Sequence, residues 1–316
     1  MAIDLAAEAR ARGLRTIAKI QAGCTWELSA VPYIPAVANV AQHAANLLEA
    51  RVNGLMLGWT LGGCPSPNLE VVAALASGAA EQPGKPPDPE AAMQHVAERR
   101  FGAAIAPEVV RAWRTFSTAF SEFPFHGGLV YSAPMQLGPA NPLWATPTGY
   151  HASMVGFPYD DLDGWRQVYP PEIFIAQFEK VAEGFEKGLA DLRLAEPAHH
   201  ARTSPEQRQA LRDELGVAEA AGIHFRSTAN QARFVQARSQ LAAARTGGEK
   251  GTAIDQLGRL IRSELALARR LYELQSGDSR IGFEASNQYY YVPLDLVEKA
   301  LNCRWLLEHY QGPTAV

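Results

Sequence analysis

GLMLGWTLGGCPSPN, residues 54–68, decides the fold. An apolar run leads to Trp59; glycines, prolines and an asparagine follow. A short apolar run bounded by turn residues reads as a strand buried on both faces. A second such run, TIAKIQA at 16–22, lies upstream and opens into the loop CTWELSAVPYIP, where Pro32 and Pro35 break regular structure. Between the two runs, Val37, Val40, Ala41, Ala44, Leu47 and Leu48 recur at helical spacing. Residues 2–12 predict a helix ended by Gly13. The order helix, strand, helix, strand is that of a parallel β/α unit. In such sheets and barrels, ligand chemistry sits at the C-terminal strand ends. That places Thr25, Trp26 and Glu27 after the first strand, and Trp59, Thr60 and Asn68 after the second.

Beyond residue 76 the pattern changes. EQPGKPPDPE reads as a linker or exposed loop. Helical segments are expected near 89–101, 107–121, 171–194, 204–221, 223–245, 250–276 and 293–310. Ser204-Pro205 offers a cap followed by proline at the first helical position. The segments 223–245 and 250–276 read as a packed antiparallel pair. The expected fold class is α/β plus mainly α: a partial (β/α) barrel-like segment over 1–76, then a large helical domain over 77–316. That domain carries a long Pro-, Gly- and aromatic-rich loop at 122–170. A complete (β/α)8 barrel needs roughly 250 residues, and only about 75 here are of β/α type. The layer therefore belongs to a longer barrel protein, is completed by another copy in a homo-oligomer, or is covered by the chain's own helices.

Composition narrows the function. The chain has 316 residues, and at 47% hydrophobic and 20% charged it has the make-up of a globular protein with a sizeable core. A net charge of −4 with interspersed signs gives no basic patch for nucleic acid. No run of about 18 apolar residues suggests a membrane span, and the amphipathic start lacks a secretory leader. Cys24, Cys64 and Cys303 form no CxxC pair, so neither a disulfide framework nor zinc is expected, and a cytoplasmic setting is. No metal or cofactor is expected.

The strand ends "CTWELS" and "GLMLGWTLGG" resemble the last two β/α units of clan A glycoside hydrolases, which are (β/α)8 barrels. In that clan a glutamate ending the seventh strand is the nucleophile, and a tryptophan closes the eighth strand against the sugar. The resemblance implies these roles for Glu27 and Trp59, with a non-proline cis peptide at Trp59-Thr60. The remainder, ending RIGFEASNQYYYVPLDLVEKALNCRWLL, resembles the helical C-terminal region of α-glucuronidase-type and related barrel hydrolases. The clan's acid/base glutamate follows its fourth strand, which has no counterpart here.

The residues can be read independently of that likeness. A retaining glycosidase uses two carboxyl groups about 5 Å apart, an inverting one a wider gap that admits water. Glu27, beside Trp26 and Tyr33, is the first candidate; the competing reading is a surface cap or ion pair. Trp26 and Trp59 are candidate sugar platforms, against a core role for Trp59. Asn68 is a candidate hydroxyl partner, but a cap on the helix starting NLEVVAALA is preferred. VGFPYDDLDGW, 155–165, clusters Asp160, Asp161 and Asp163 with Tyr159 and Trp165. Asp160 and Asp161 are candidates for the partner carboxyl, and Tyr159 and Trp165 for sugar contacts. The preferred alternative is a helix N-terminus with aspartates in its first turn. FEASNQYYYVP, 283–293, suits a carbohydrate site but reads more simply as packing between helices. His126 and His151, with the aspartates, are the basis of a weaker metal-hydrolase reading. The leading expectation is a glycoside hydrolase-like protein acting on a carbohydrate; the second is a non-catalytic carbohydrate-binding or assembly module.

Overall fold

The computed structural model describes residues 2–58, 63–82, 84–153, 156–285 and 288–311, most of them helical. The chain opens with α1 (Ala2–Ala11), β1 (Ile17–Lys19), α2 (Val37–Glu49) and β2 (Gly54–Met56). β1 and β2 pair in parallel, Ile17 against Gly54 and Lys19 against Met56. The helix–strand–helix–strand order is therefore present, and among the described residues these two strands are the whole of that sheet. Both strands were expected to be buried, and they are not: Ile17 is 73% exposed and Met56 54%. Burial of a parallel sheet comes from layers on both faces, and the face that carries Ile17 and Met56 is open to solvent.

Helices follow: α3 (Pro67–Glu81), α4 (Pro89–Phe101), α5 (Ala106–Phe120), the short α6 (Ala133–Leu137) and α7 (Leu162–Arg166), then α8 (Pro171–His199), α9 (Pro205–Ala243), α10 (Gly247–Gly277) and α11 (Pro293–Gln311). A hairpin of β3 (Phe283–Glu284) and β4 (Gln288–Tyr289) precedes α11. No helix among the described residues is long and apolar enough to cross a membrane.

Local chemistry sets the boundaries. After α1, Gly13 takes φ +73°; its N–H reaches Arg10 O, and that of Leu14 reaches Ala9 O, a glycine-closed helix end. Ser204 caps α9, its Oγ accepting from Gln207 N at 3.2 Å while Gln207 Oε1 accepts from Ser204 N at 2.9 Å. The cap on α3 corrects the expectation: Ser66 accepts from Leu69 N, and Asn68 lies inside the helix, donating to Ile34 O at 2.8 Å. Pro67 at the first helical position makes its predecessor the cap. A break near residue 222 was also expected, yet α9 runs unbroken. A glycine inside a helix costs about 1 kcal/mol, and Val217, Ala218, Ala220, Ala221 and Ile223 are all buried around it.

The chain divides into two compact units that interleave along the sequence. The first comprises residues 1–25, 32–121 and 184–219. Its core holds Trp113, Phe101 and Phe116, with Phe116 stacked on Phe185 at 4.9 Å. A buried carboxylate, Glu214, accepts from Tyr33 Oη at 2.5 Å and Trp113 Nε1 at 2.8 Å. The second comprises residues 26–31, 122–183 and 220–316. There α9 and α10 run antiparallel, as expected: Asn230 bonds Glu264 and Ser227 bonds Glu264, while Ala237 and Leu257 share one cluster with Phe234, Ile261 and Leu306.

Fully buried in this second unit, His224 places Nε2 2.7 Å from Tyr291 Oη. Burial pushes its pKa from 6.5 down to about 3. Above about pH 6.5 the ring is neutral in the folded and unfolded chain alike. Below that, only the unfolded chain takes the proton, so stability falls as pH drops toward 3, by at most about 1.4 kcal/mol per pH unit. Urea unfolding of the wild type is expected to lose stability between pH 6.5 and 5. His224→Gln is expected to show a shallower slope over that range, and equal slopes would refute the assignment.

Candidate functional site

The loop after β1 carries the candidate carboxylate. Its end is anchored in the second unit, where Leu28, Ala30 and Val31 are fully buried. Ser29 Oγ donates to Tyr290 Oη at 2.8 Å, and Gly282 N donates to Ala30 O at 2.7 Å. The tyrosine-bearing β3–β4 hairpin, expected to serve packing, thus buttresses the loop that carries Glu27. Trp26 and Glu27 stand half-buried on the part of the loop in this unit. The Trp26 ring lies 6.0 Å from that of Tyr131, inclined at 55°. Glu27 Oε2 is shielded from solvent and accepts no hydrogen bond. A carboxylate oxygen out of water is ordinarily paired with a donor, so this atom has the capacity to accept from a ligand hydroxyl.

Tyr131 sits on a single 3-10 turn, Leu129–Tyr131, that packs against α7. Next to α7 the structure gathers Tyr159, Asp160 and Trp165 around a small cavity with Asn141 and Arg238. These groups are engaged in holding the fold. Asp160 is 6% exposed; Oδ2 lies 2.9 Å from Arg238 Nη1 and accepts from Thr148 N, and Oδ1 accepts from Thr148 Oγ1 at 2.7 Å. Asp161 caps α7, accepting from Asp163 N at 3.0 Å, and Asp163 pairs with Arg166. This is the helix-N-terminus arrangement that the aspartate spacing favoured. Trp165 is buried with Nε1 donating to Pro158 O at 2.7 Å, and Tyr159 O accepts from Asn141 Nδ2. Asn68, buried and bonded to Ile34 O, belongs to the first unit. Trp59, Thr60 and the cis peptide expected between them lie outside the described residues.

The histidines are placed modestly. His126 Nδ1 accepts from Gly128 N at 3.1 Å, and His151 Nδ1 lies 3.0 Å from its neighbour Gly149 O. Among the described residues, no three His, Cys, Asp or Glu side chains are grouped to hold a metal ion. One contributor, Tyr131, goes unnoticed in the sequence, while Tyr290 belongs to the run 289–291 read there as packing. Nothing near 131 points toward a site.

What the loop can do chemically follows from its make-up: one shielded carboxyl, an inclined indole–phenol pair, and a hairpin that holds the backbone in place. Aromatic faces pair with the C–H side of a sugar ring, and a carboxyl with hydroxyls; these are the kinds of group that the loop and its neighbour Tyr131 bring together. No protein-family model, curated protein or solved structure matches the chain.

Proposed function

We propose that this chain is a carbohydrate-active protein of glycoside hydrolase type whose reacting carboxyl is Glu27. Trp26 and Tyr131 supply the platform on which a sugar ring rests. The parallel β1–β2 pair, with its loop at the C-terminal strand end, is on this reading a piece of a (β/α)8-like layer. The observation that carries the proposal is Glu27 Oε2, out of water and without a hydrogen bond, one residue from the Trp26–Tyr131 pair. A positioned acid or base of this kind contributes about 10²–10⁴-fold to a reaction. Turnover of a panel of aryl glycosides by the wild type, lowered by that factor in Glu27→Gln, is the expected result. Unchanged turnover in the variant would remove Glu27 from the chemistry.

A second reading, a saccharide-binding or assembly module without turnover, is favoured by one observation. Asp160 and Asp161, the partners foreseen for Glu27, are committed to Arg238 with Thr148 and to a helix cap. Saccharide binding by the same panel without product would select it.

A further inference from the structure

We propose that the open edge of β1 is a docking site for a β-strand of another polypeptide, apolar along its length and acidic at its flanks. The ladder to β2 uses Thr16 O, which accepts from Asn53 N, and Ile20 N, which donates to Met56 O. Peptide groups alternate sides along a strand, so those of Ile17 and Lys19 face the open edge. Ile17, Lys19, Gly54 and Met56 share one face by register, and Ile17 and Met56 are 73% and 54% exposed. Leu5 and Leu14, also in this first unit, are exposed too. Beside β1 an apolar hollow of about 270 Å3 is lined by residues that include Leu5, Ile17, Ala18, Leu47 and Val52. A parallel sheet is built for cover on both faces, and a two-stranded one without it is at the limit of stability.

Two features select the occupant. The exposed apolar side chains offer on the order of 400 Å2, about half of what each partner of a standard complex buries. Main-chain bonding must supply the rest, which is strand addition rather than face-to-face contact. Charge then disfavours a second copy. Arg15, Lys19 and Arg51 are exposed, and among the described residues none is in an ion pair, while Glu8 is taken by Arg12. Two-fold pairing between copies is antiparallel; centred on Ile17, it sets Arg15 against Lys19, like charges in opposition. An incoming strand with glutamates at its ends meets cations instead, its apolar side chains lying beside Ile17 and toward the hollow.

Two fluorescein-labelled probes test this on the intact chain: Glu-Val-Ile-Val-Ile-Val-Glu, and the same peptide with lysine at both ends. Anisotropy should show the acidic peptide binding roughly tenfold more tightly at low salt, with the preference inverted by the Arg15→Glu/Lys19→Glu variant. Ile17→Pro removes only an outward-facing N–H and spares the β1–β2 ladder; with its circular dichroism unchanged, it should bind neither peptide. Equal binding of both peptides, or full binding by a folded Ile17→Pro variant, would overturn the proposal. So would a dimer in sedimentation that Ile17→Asp dissociates, because the edge would then belong to a second copy.

Discussion

Glu264→Ala is expected to lower the unfolding free energy by about 3–5 kcal/mol, the usual penalty for leaving a buried ion without its partner. Glu264 and Lys299 are both wholly inaccessible, with Lys299 Nζ 3.0 Å from Glu264 Oε2 and 2.6 Å from Asn141 O. The carboxylate also accepts from Ser227 Oγ at 2.9 Å and Asn230 Nδ2 at 3.0 Å. One ion pair thereby ties α9, α10, α11 and the segment at 141 together. Removing the carboxylate strands the ammonium in an apolar core beside Cys303, whose thiol burial pushes up to about 12. Replacing both ions, as in Glu264→Met/Lys299→Met, should recover much of the loss, because the desolvation cost of the charges disappears with them. Urea denaturation of the three proteins measures this; a single-variant loss below about 1 kcal/mol would contradict it.

Gly282→Ala is expected to cost at least about 2 kcal/mol and to loosen the loop bearing Glu27. Gly282 sits at φ +80°, and a Cβ there would lie 2.6 Å from Gln275 Nε2 and 2.7 Å from Tyr291 O. Neither can yield freely. Gln275 Nε2 donates to both Ile281 O and Tyr291 O, and Tyr291 is held in turn by His224. Displacing Gly282 breaks its bond to Ala30 O and shifts Tyr290 away from Ser29. Amides of residues 26–31 should therefore exchange faster in the variant, as read by hydrogen-exchange mass spectrometry. Gly127→Ala is the control: no atom lies within 4 Å of its added Cβ, so stability should change by less than about 0.5 kcal/mol. Unaltered exchange at 26–31 in a destabilised Gly282→Ala protein would show that the hairpin does not hold the loop.

How far the sequence could be read depended on the range of the interaction. Strand order and the Ser204 cap are local matters of apolar runs and three-residue spacing, and both are found in the structure. The cap at Ser66 was equally local, but the asparagine drew attention from the proline rule that decides it. Burial of β1 was not legible, because an apolar run records what a strand is suited to, not which layers lie over it. The role of Asp160 was hidden for a different reason: its partner Arg238 is 78 residues away, and three acids within four residues look alike until one meets a guanidinium. Tyr131 and Tyr290 reach Trp26 and Ser29 only through packing of distant segments, which no periodicity encodes.

The most direct measurement is a crystal structure of Glu27→Gln soaked with the saccharide that the wild type binds best. A sugar ring against Trp26 or Tyr131, with the residue 27 amide in hydrogen-bonding reach of its glycosidic oxygen, is the outcome expected of a carbohydrate site on this loop. Sugar lodged elsewhere on the chain, or a side chain at 27 turned away from it, would contradict that assignment.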